Sequence, residues 1–398
     1  MYIKEIQSKK EKKKFHQFQR DLYKKDPNFS APFECQIEDI FTPGKNNFFE
    51  HGTATRFLLF DDQKKVIGRI AAFINDNKAY TFQLPTGGCG FFECINDSKS
   101  AFALFDAAKH WLEERGMKAM DGPINFGEND NYWGLLVEGF SISAWGMHYN
   151  PPYYQNLFEQ YGFKLYFEQV TNRLDLKKPF PDRFWKVANW ARSKPDFQYK
   201  HFEYAKTEQF MQDFKEIYDE AWQFHENFSP INKGTMQTEL EEGKAVIDEE
   251  LIWFAYHKQE PIAFIVMFPD ANTIFRKFNG KLNLINKLRF LYLKKHHRIT
   301  HARITIMGVK PKFQRFGIES VLFYHLNEVM KTKPWYTHIQ LSWVGDFNPK
   351  MQSLHQAVGA DFYQRHYTYR FIFDTNTTFE RSQTIGKDTK QNYLDQTK

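Results

Sequence analysis

Two stretches of the chain repeat one order of apolar and polar positions. In the first, "MYIKEIQ" alternates as a strand and the basic run "KKFHQFQRDLYKKDP" has helical spacing. A strand pair follows in "ATRFLLFDDQKKVIGRIAAFIN" (54–75), broken by the polar turn "DDQKK". The apolar "GCGFFECI" predicts a buried strand. Leu104, Ala108, Trp111 and Leu112 then share one face of a helix capped by Asp97 or Ser98 and stopped at Gly116. Strand "KAMDGPI", helix "YYQNLFEQYGF" ending at Gly162, and strand "KLYFEQVTNRLDL" close the unit.

The second stretch repeats this order. Helix 208–228 and the helical piece "TMQTELEEGKAVID" precede a strand pair over 250–270 that turns at "HKQEP". A basic connector leads to strand "ARITIMGV" and a helix carrying Ile318, Leu322, Leu326 and Val329 on one face. Strand "HIQLSWV", helix "KMQSLHQAVGA" and strand "FYQRHYTYRFIF" finish it. A repeat of nearly half the chain is a domain duplication, not a solenoid period. The join is placed in "KKPFPDRFWKVANWARSKPDFQ", and the polar segment from about Asp374 onward is expected to fray.

Composition narrows the class. A chain of 398 residues with 42% apolar and 26% charged residues supports two globular cores. The longest apolar run, "IAFIVMF" (262–268), is far short of the ~20 residues needed to span a bilayer. The charged N-terminus shows no secretory core, so a cytoplasmic location is expected. Cys35, Cys89 and Cys94 fit neither a disulfide framework nor a zinc knuckle. His225 with Glu226, and the pair His296 and His297, lack a matching carboxylate spacing, so no metal site is expected. The run "SKKEKKK" (8–14) reads as a solvated helix face. Residues 271–303 contain no acid at all, which favours an anionic partner such as a phosphorylated cofactor, a nucleic acid or a membrane surface.

Chemistry is concentrated where "ITIMGV" ends at Val309 and a turn with Gln314 and Gly317 leads into a helix near Ser320. Main-chain N–H groups at a helix start, with the positive end of the helix dipole, suit a diphosphate. Here the sequence resembles the GNAT superfamily of acetyl-coenzyme A-dependent acyltransferases. Gln314-Arg-Phe-Gly317-Ile-Glu319 is similar to its Gln/Arg-x-x-Gly-x-Gly/Ala signature and departs from it at Glu319. "GVKP" resembles the family's V-x-P, and Asn348, Met351, Leu354, His355, Gly359 and Ala360 keep the spacing of its later helix.

The resemblance implies an α+β chain of two tandem GNAT-like domains, each a mixed, mostly antiparallel sheet flanked by helices. The expected bounds are 1–176 for a degenerate first domain and 177–374 for a second that holds acetyl-CoA or another acyl-CoA, with a polar tail over 375–398. It further implies cofactor contacts from Met307, Val309, Gln314, Arg315, Phe316, Gly317, Ile318, Ser320 and Asn348, with His355 as the acid for the departing thiolate. Lys294, Lys295 or Arg298 are candidates for the outer phosphate. In the first unit, Phe158 stands where the acid would be. The long Gly-, Asn- and aromatic-rich segment 122–154 is a candidate binding loop, from which Asn129, Trp133 and Tyr149, together with Trp343, are the expected substrate-facing residues. The expected reaction is transfer of an acyl group to the amine of a small molecule or peptide, without membrane insertion or nucleic acid. A Fem-type aminoacyltransferase using aminoacyl-tRNA is one alternative; a catalytically silent binding protein is another.

Overall fold

The computed structural model of the protein describes residues 1–223, 233–296 and 298–382. It resolves into two compact units. Unit 1 comprises Met1–Val170, Ile274–Phe290 and the chain from Gln364 to the last described residue; unit 2 comprises Thr171–Thr273 and Leu291–Tyr363.

The elements of the first half are β1 (Tyr2–Glu5), α1 (Lys9–Leu22), α2 (Glu34–Ile40), β2 (Gly52–Phe60), β3 (Val66–Asn75), the single turn α3 (Asp76–Ala79), β4 (Thr86–Cys94), α4 (Ser98–Glu113), β5 (Ala119–Gly122), β6 (Leu135–Glu138), α5 (Tyr154–Tyr161) and β7 (Lys164–Asp175). Helix α1 starts in a capping box of Ser8 and Glu11, so the basic run is a helix start. The face of α4 expected to be apolar is the buried one, with Leu104, Ala108 and Leu112 fully enclosed. They join Phe92, Phe105 and Phe158 in a large aromatic-rich core. Gly162 ends α5 in the left-handed region at φ +110°.

The second half contributes α6 (Asp182–Arg192), β8 (Phe197–His201), α7 (Thr207–Trp222), α8 (Lys233–Gly243), β9 (Ile252–His257), β10 (Glu260–Pro269), the single turn α9 (Asn272–Phe275), α10 (Leu284–Lys295), β11 (His301–Val309), α11 (Ile318–Thr332), β12 (His338–Gln340), β13 (Val344–Gly345), α12 (Pro349–Ala357) and β14 (Asp361–Ile372). The expected join is in fact α6 and the strand β8, which pairs antiparallel with β9. The basic connector contains α10. On α11 the buried stripe closes with Met330, and Val329 is only half-buried.

The units do not divide at one point in the chain. In unit 1 the strand order is β1-β2-β3-β4-β5-β14, and β14 pairs antiparallel with β5 through Tyr369 opposite Gly122 and Ile372 opposite Ala119. In unit 2 the order is β8-β9-β10-β11-β12-β7, with Gln340 of β12 opposite Arg173 of β7. A strand from the other half of the sequence closes each sheet, which is why a cut between residues 176 and 177 does not reproduce the units. Residues 383–398 of the expected tail lie outside the described residues. No helix among the described residues is long and apolar enough to cross a membrane.

Candidate active site

In unit 2, strand β11 runs antiparallel to β10 along nearly its whole length but meets β12, in parallel, only over His301–Arg303. Beyond Gln340 the chain leaves β11 but stays with β7, Leu341 N donating to Asn172 O at 2.9 Å in continuation of the β12–β7 pairing. From Ile304 to Val309 the β12-side edge of β11 therefore has no ladder partner among the described residues.

Register decides which groups face that opening. Lys310 N donates to Ile262 O at 2.9 Å, and Gly308 and Ile306 stand opposite Phe264 and Val266. Bonding alternates along an antiparallel pair, so the N–H groups of Met307 and Val309 point away from β10, into the gap. Thr305 is the extra residue of a bulge that re-aims the strand just before this point.

The turn after β11 prepares the helix start. Gln314 Nε2 donates to Val309 O at 3.1 Å and folds the turn back on the strand end. Arg315 and Gly317 both adopt left-handed φ, +91° and +73°. An exposed arginine in that region stores strain, and alternating conformations of this kind bring successive N–H groups onto one concave surface. No side chain caps α11. The N–H groups of Arg315, Gly317, Ile318, Glu319 and Ser320 have no hydrogen-bond acceptor among the described residues. Glycine at 317 is required twice over. Its φ disfavours a side chain, and a Cβ would lie 2.9 Å from Val187 Cγ1 and 3.2 Å from Ala191 Cβ on α6. The expected reason, close approach of a ligand, is thus joined by close packing of α6.

Beside the turn, Lys194 Nζ sits 3.8 Å from the Trp190 ring centroid and 4.9 Å from that of Phe316; both rings are well exposed. Sequence reading passed over Trp190 and Lys194 because they fall in the segment taken for a linker. Glu319, half-buried in the first turn, makes no ion pair or hydrogen bond among the described residues.

Other expected residues are engaged within the fold. His355 is buried, and its Nδ1 accepts from Asn172 Nδ2 at 3.1 Å. Burial lowers its pKa to about 4, so the ring is neutral at physiological pH and carries no imidazolium proton for a thiolate. Asn348 caps α12, its Oδ1 accepting from Met351 N at 3.2 Å. Lys294 donates to Ala245 O at 2.6 Å. Trp343 belongs to unit 2 and is half-buried.

The remaining substrate candidates lie in unit 1. Trp133 Nε1 donates to Thr368 Oγ1 and the residue packs against the cluster of Phe73, Ile124 and Phe126, whereas Tyr149 donates to Asp26 and packs beside Tyr23 and Phe29. The two sit in separate clusters. Asn129 is exposed. His225, Glu226 and His297 lie outside the described residues. The oxygens of Glu216, Glu220 and Glu260 are close enough together for a cation, but Lys310 Nζ already fills that role at 2.5, 2.9 and 3.2 Å. The three cysteines are free, and burial pushes the Cys89 and Cys94 thiols up, away from reactive thiolate character.

Unit 1 has the same kind of central strand without the opening. Phe91 (φ +50°) marks a bulge in β4, and β5 runs parallel to β4. There, however, Ile124 N donates to Cys89 O at 2.9 Å, and a Cβ on Gly90 would lie 1.8 Å from Ile124 O. The gap is filled by backbone packed on a glycine. The next helix, α4, is capped by Asp97, which accepts from Ser100 N at 2.8 Å. Glu93 on β4 is buried in a network with Tyr23, Tyr154 and Gln19, and faces Arg69 at 3.5 Å. A cleft of about 430 Å³ in this unit is rimmed by Arg20, Asp21, Lys24, Asp26 and Arg276; Arg20 pairs with Glu34, and Arg276 donates to Pro27 O.

Comparison with known proteins bears on these features. No family model matches the chain. It is 26% identical over 374 residues to protein YghO of Escherichia coli K12, covering 92% of this chain and 94% of that one. It is 27% identical over 370 residues to the bacterial ceramide synthase of Caulobacter vibrioides, covering 92% and 95%. Among solved structures, a tandem GNAT protein from the clavulanic acid biosynthesis pathway superposes with a TM-score of 0.56 over 94% of this chain and 99% of that one, at 10% identity. The two bulged central strands, one edge open and one closed, are thus set in a tandem GNAT fold of α+β class.

Proposed function

We propose that the protein is an N-acyltransferase whose unit 2 uses a fatty acyl-CoA, and whose acceptor is the primary amine of a long-chain, sphingoid-type base. The observation that carries the reading is the open β12-side edge of β11 leading directly to an uncapped, glycine-started helix. The acceptor class is supported by the relative named a bacterial ceramide synthase, which matches this chain along almost its full length.

The residues present fit the donor. Five N–H groups without an acceptor at the start of α11 would hold the diphosphate. Lys194, already positioned over Trp190 and Phe316, would neutralise the outer phosphate beside an exposed aromatic surface suited to the adenine. Met307 and Val309 would donate main-chain hydrogen bonds along the gap, one of them to the carbonyl oxygen as negative charge develops there during attack. The amine must arrive as the free base above the face of the thioester carbonyl. The C–N bond forms, the C–S bond breaks, and the proton shed by the nitrogen passes through solvent to the departing thiolate, which leaves as coenzyme A. Positioning therefore supplies much of the rate. His355 holds Asn172 in place and is given no proton to transfer. Unit 1, with its gap filled and its helix capped, is read as the non-catalytic copy.

The test is to incubate the purified protein with palmitoyl-CoA and sphinganine, following thiol release and N-acyl product by mass spectrometry. Val309→Pro deletes one N–H on the open edge while sparing the β10 ladder, and should cut kcat/KM by about tenfold or more. Absence of thiol release with any acyl-CoA, together with no coenzyme A binding at millimolar concentration, would overturn the assignment.

A further inference from the structure

Helix α10 lies in the acid-free block 271–303 and carries two apolar faces. One holds Phe290, buried and packed 5.2 Å from Phe275 between ring centroids. The other is turned to solvent: Leu284, Ile285, Leu288, Leu291 and Tyr292 are 53–74% exposed. At about 100° per residue these five occupy a stripe about 120° wide along a helix about 18 Å long. Leu282, just before the helix, is exposed as well. Exposed aliphatic side chains occurring singly are ordinary, but five on one face of twelve residues form a patch. Lys287 and Arg289 flank it on its two sides, and Lys281 and Lys295 lie at its two ends, all exposed.

We propose that α10 docks the protein on an anionic lipid bilayer, lying in the plane of the headgroups with this stripe inserted among the acyl chains. The charge pattern selects that occupant. A nucleic acid would engage the basic side chains but leave the aliphatic stripe in water. A second copy meeting the same face by two-fold symmetry would bring one cationic, acid-free segment against another. A surface bearing phosphate headgroups over hydrocarbon satisfies both halves of the helix. The inference goes beyond the acyltransfer reading and stands without it, because docking is read without turnover.

The experiment is co-sedimentation of the full chain with vesicles of phosphatidylcholine alone and of phosphatidylcholine mixed with phosphatidylglycerol. The wild type should bind the mixed vesicles and bind the neutral ones weakly. Changing Leu284, Ile285, Leu288 and Leu291 to Ser should lower partitioning by about tenfold or more, since the inserted area is lost. The double variant Lys287→Gln, Arg289→Gln should lower it about thirtyfold, at roughly 1 kcal/mol for each basic side chain near an anionic surface. Both variants alter only exposed positions, and circular dichroism checks that they fold. Three outcomes would each overturn the proposal: no binding to mixed vesicles, binding lost in the charge variant but unchanged in the serine variant, or a vesicle-free dimer that the serine variant abolishes.

Discussion

Glu319 tests the location of the diphosphate most directly, because one substitution there is expected to move stability and affinity in opposite directions. Its carboxylate stands in the first turn of α11, where the helix dipole stabilises negative charge by about 0.3–1 kcal/mol. Glu319→Gln should therefore weaken the fold slightly, by a few tenths of a kcal/mol in urea unfolding. A bound diphosphate reverses the preference. If two negative charges are taken at about 7 Å from the carboxylate, they would cost roughly 1 kcal/mol at the dielectric of water, and several at a lower one. Removing that repulsion should tighten coenzyme A binding by about fivefold or more. Titration calorimetry at two salt concentrations supplies the measurement. The gap between wild type and variant should shrink at about 1 M salt, where the Debye length falls to about 3 Å. Unchanged or weaker binding by Glu319→Gln would refute the proposed placement of the diphosphate at this helix start, whatever the protein's activity.

Substitutions at three further positions separate structural from catalytic roles. His355 is neutral in the fold but takes up a proton in the unfolded chain below its ordinary pKa of 6.5, so its contribution to stability is complete above pH 6.5 and is lost as pH falls toward 4. His355→Gln keeps an acceptor for Asn172 and should flatten that part of the pH–stability curve by up to about 3 kcal/mol while leaving kcat near wild type; a large loss of kcat with an unchanged curve would restore it as the acid. Asn348→Ala should cost about 1 kcal/mol of stability through the lost cap, and Asn348→Asp should recover it; a rise in the KM for acyl-CoA in both variants without destabilisation would point to a ligand contact instead. Lys310→Met leaves Glu216, Glu220 and Glu260 facing one another, so the variant should melt lower than wild type and be raised by calcium or manganese, with no metal response in the wild type.

Much of the architecture was legible in the periodicity. Leu104, Ala108, Trp111 and Leu112 at helical spacing, Gly116 and Gly162 as stops, and the paired apolar strands about polar turns are local signals, and the elements formed where those signals lay. What was not legible depends on pairing between distant segments. Nothing in "KLYFEQVTNRLDL" or "FYQRHYTYRFIF" indicates that each would close a sheet built mainly from the other half of the chain. Nor did the run around Trp190 and Lys194 announce a helix: Pro179, Pro181 and Pro195 bracket it as a linker would be bracketed, while Phe184, Ala188 and Ala191 on its buried side carry the packing. The basic connector hid α10 for a related reason. Its apolar residues serve two faces, so no single stripe stood out from the charge.

The site shows the same divide between local and distant causes. That α4 begins at a capping aspartate and α11 at a bare glycine can be read from Asp97 and Gly317, and the difference already assigns the free N–H groups to the second copy. Whether those groups can be reached depends on the gap beside the preceding strand, and the gap depends on register. In unit 2, β12 keeps only three residues in parallel with β11 and then runs on with β7 alone, past Asn172. In unit 1 the chain after β5 turns back onto β4, and Ile124 fills the space that Gly90 leaves. One filled and one open gap, in copies of the same sheet, require no difference in core composition. They follow from the direction the chain takes in the two residues after each parallel strand. Diversion of the duplicated chain at that turn is therefore sufficient to leave only one unit with the open edge that the proposed acyl donor requires.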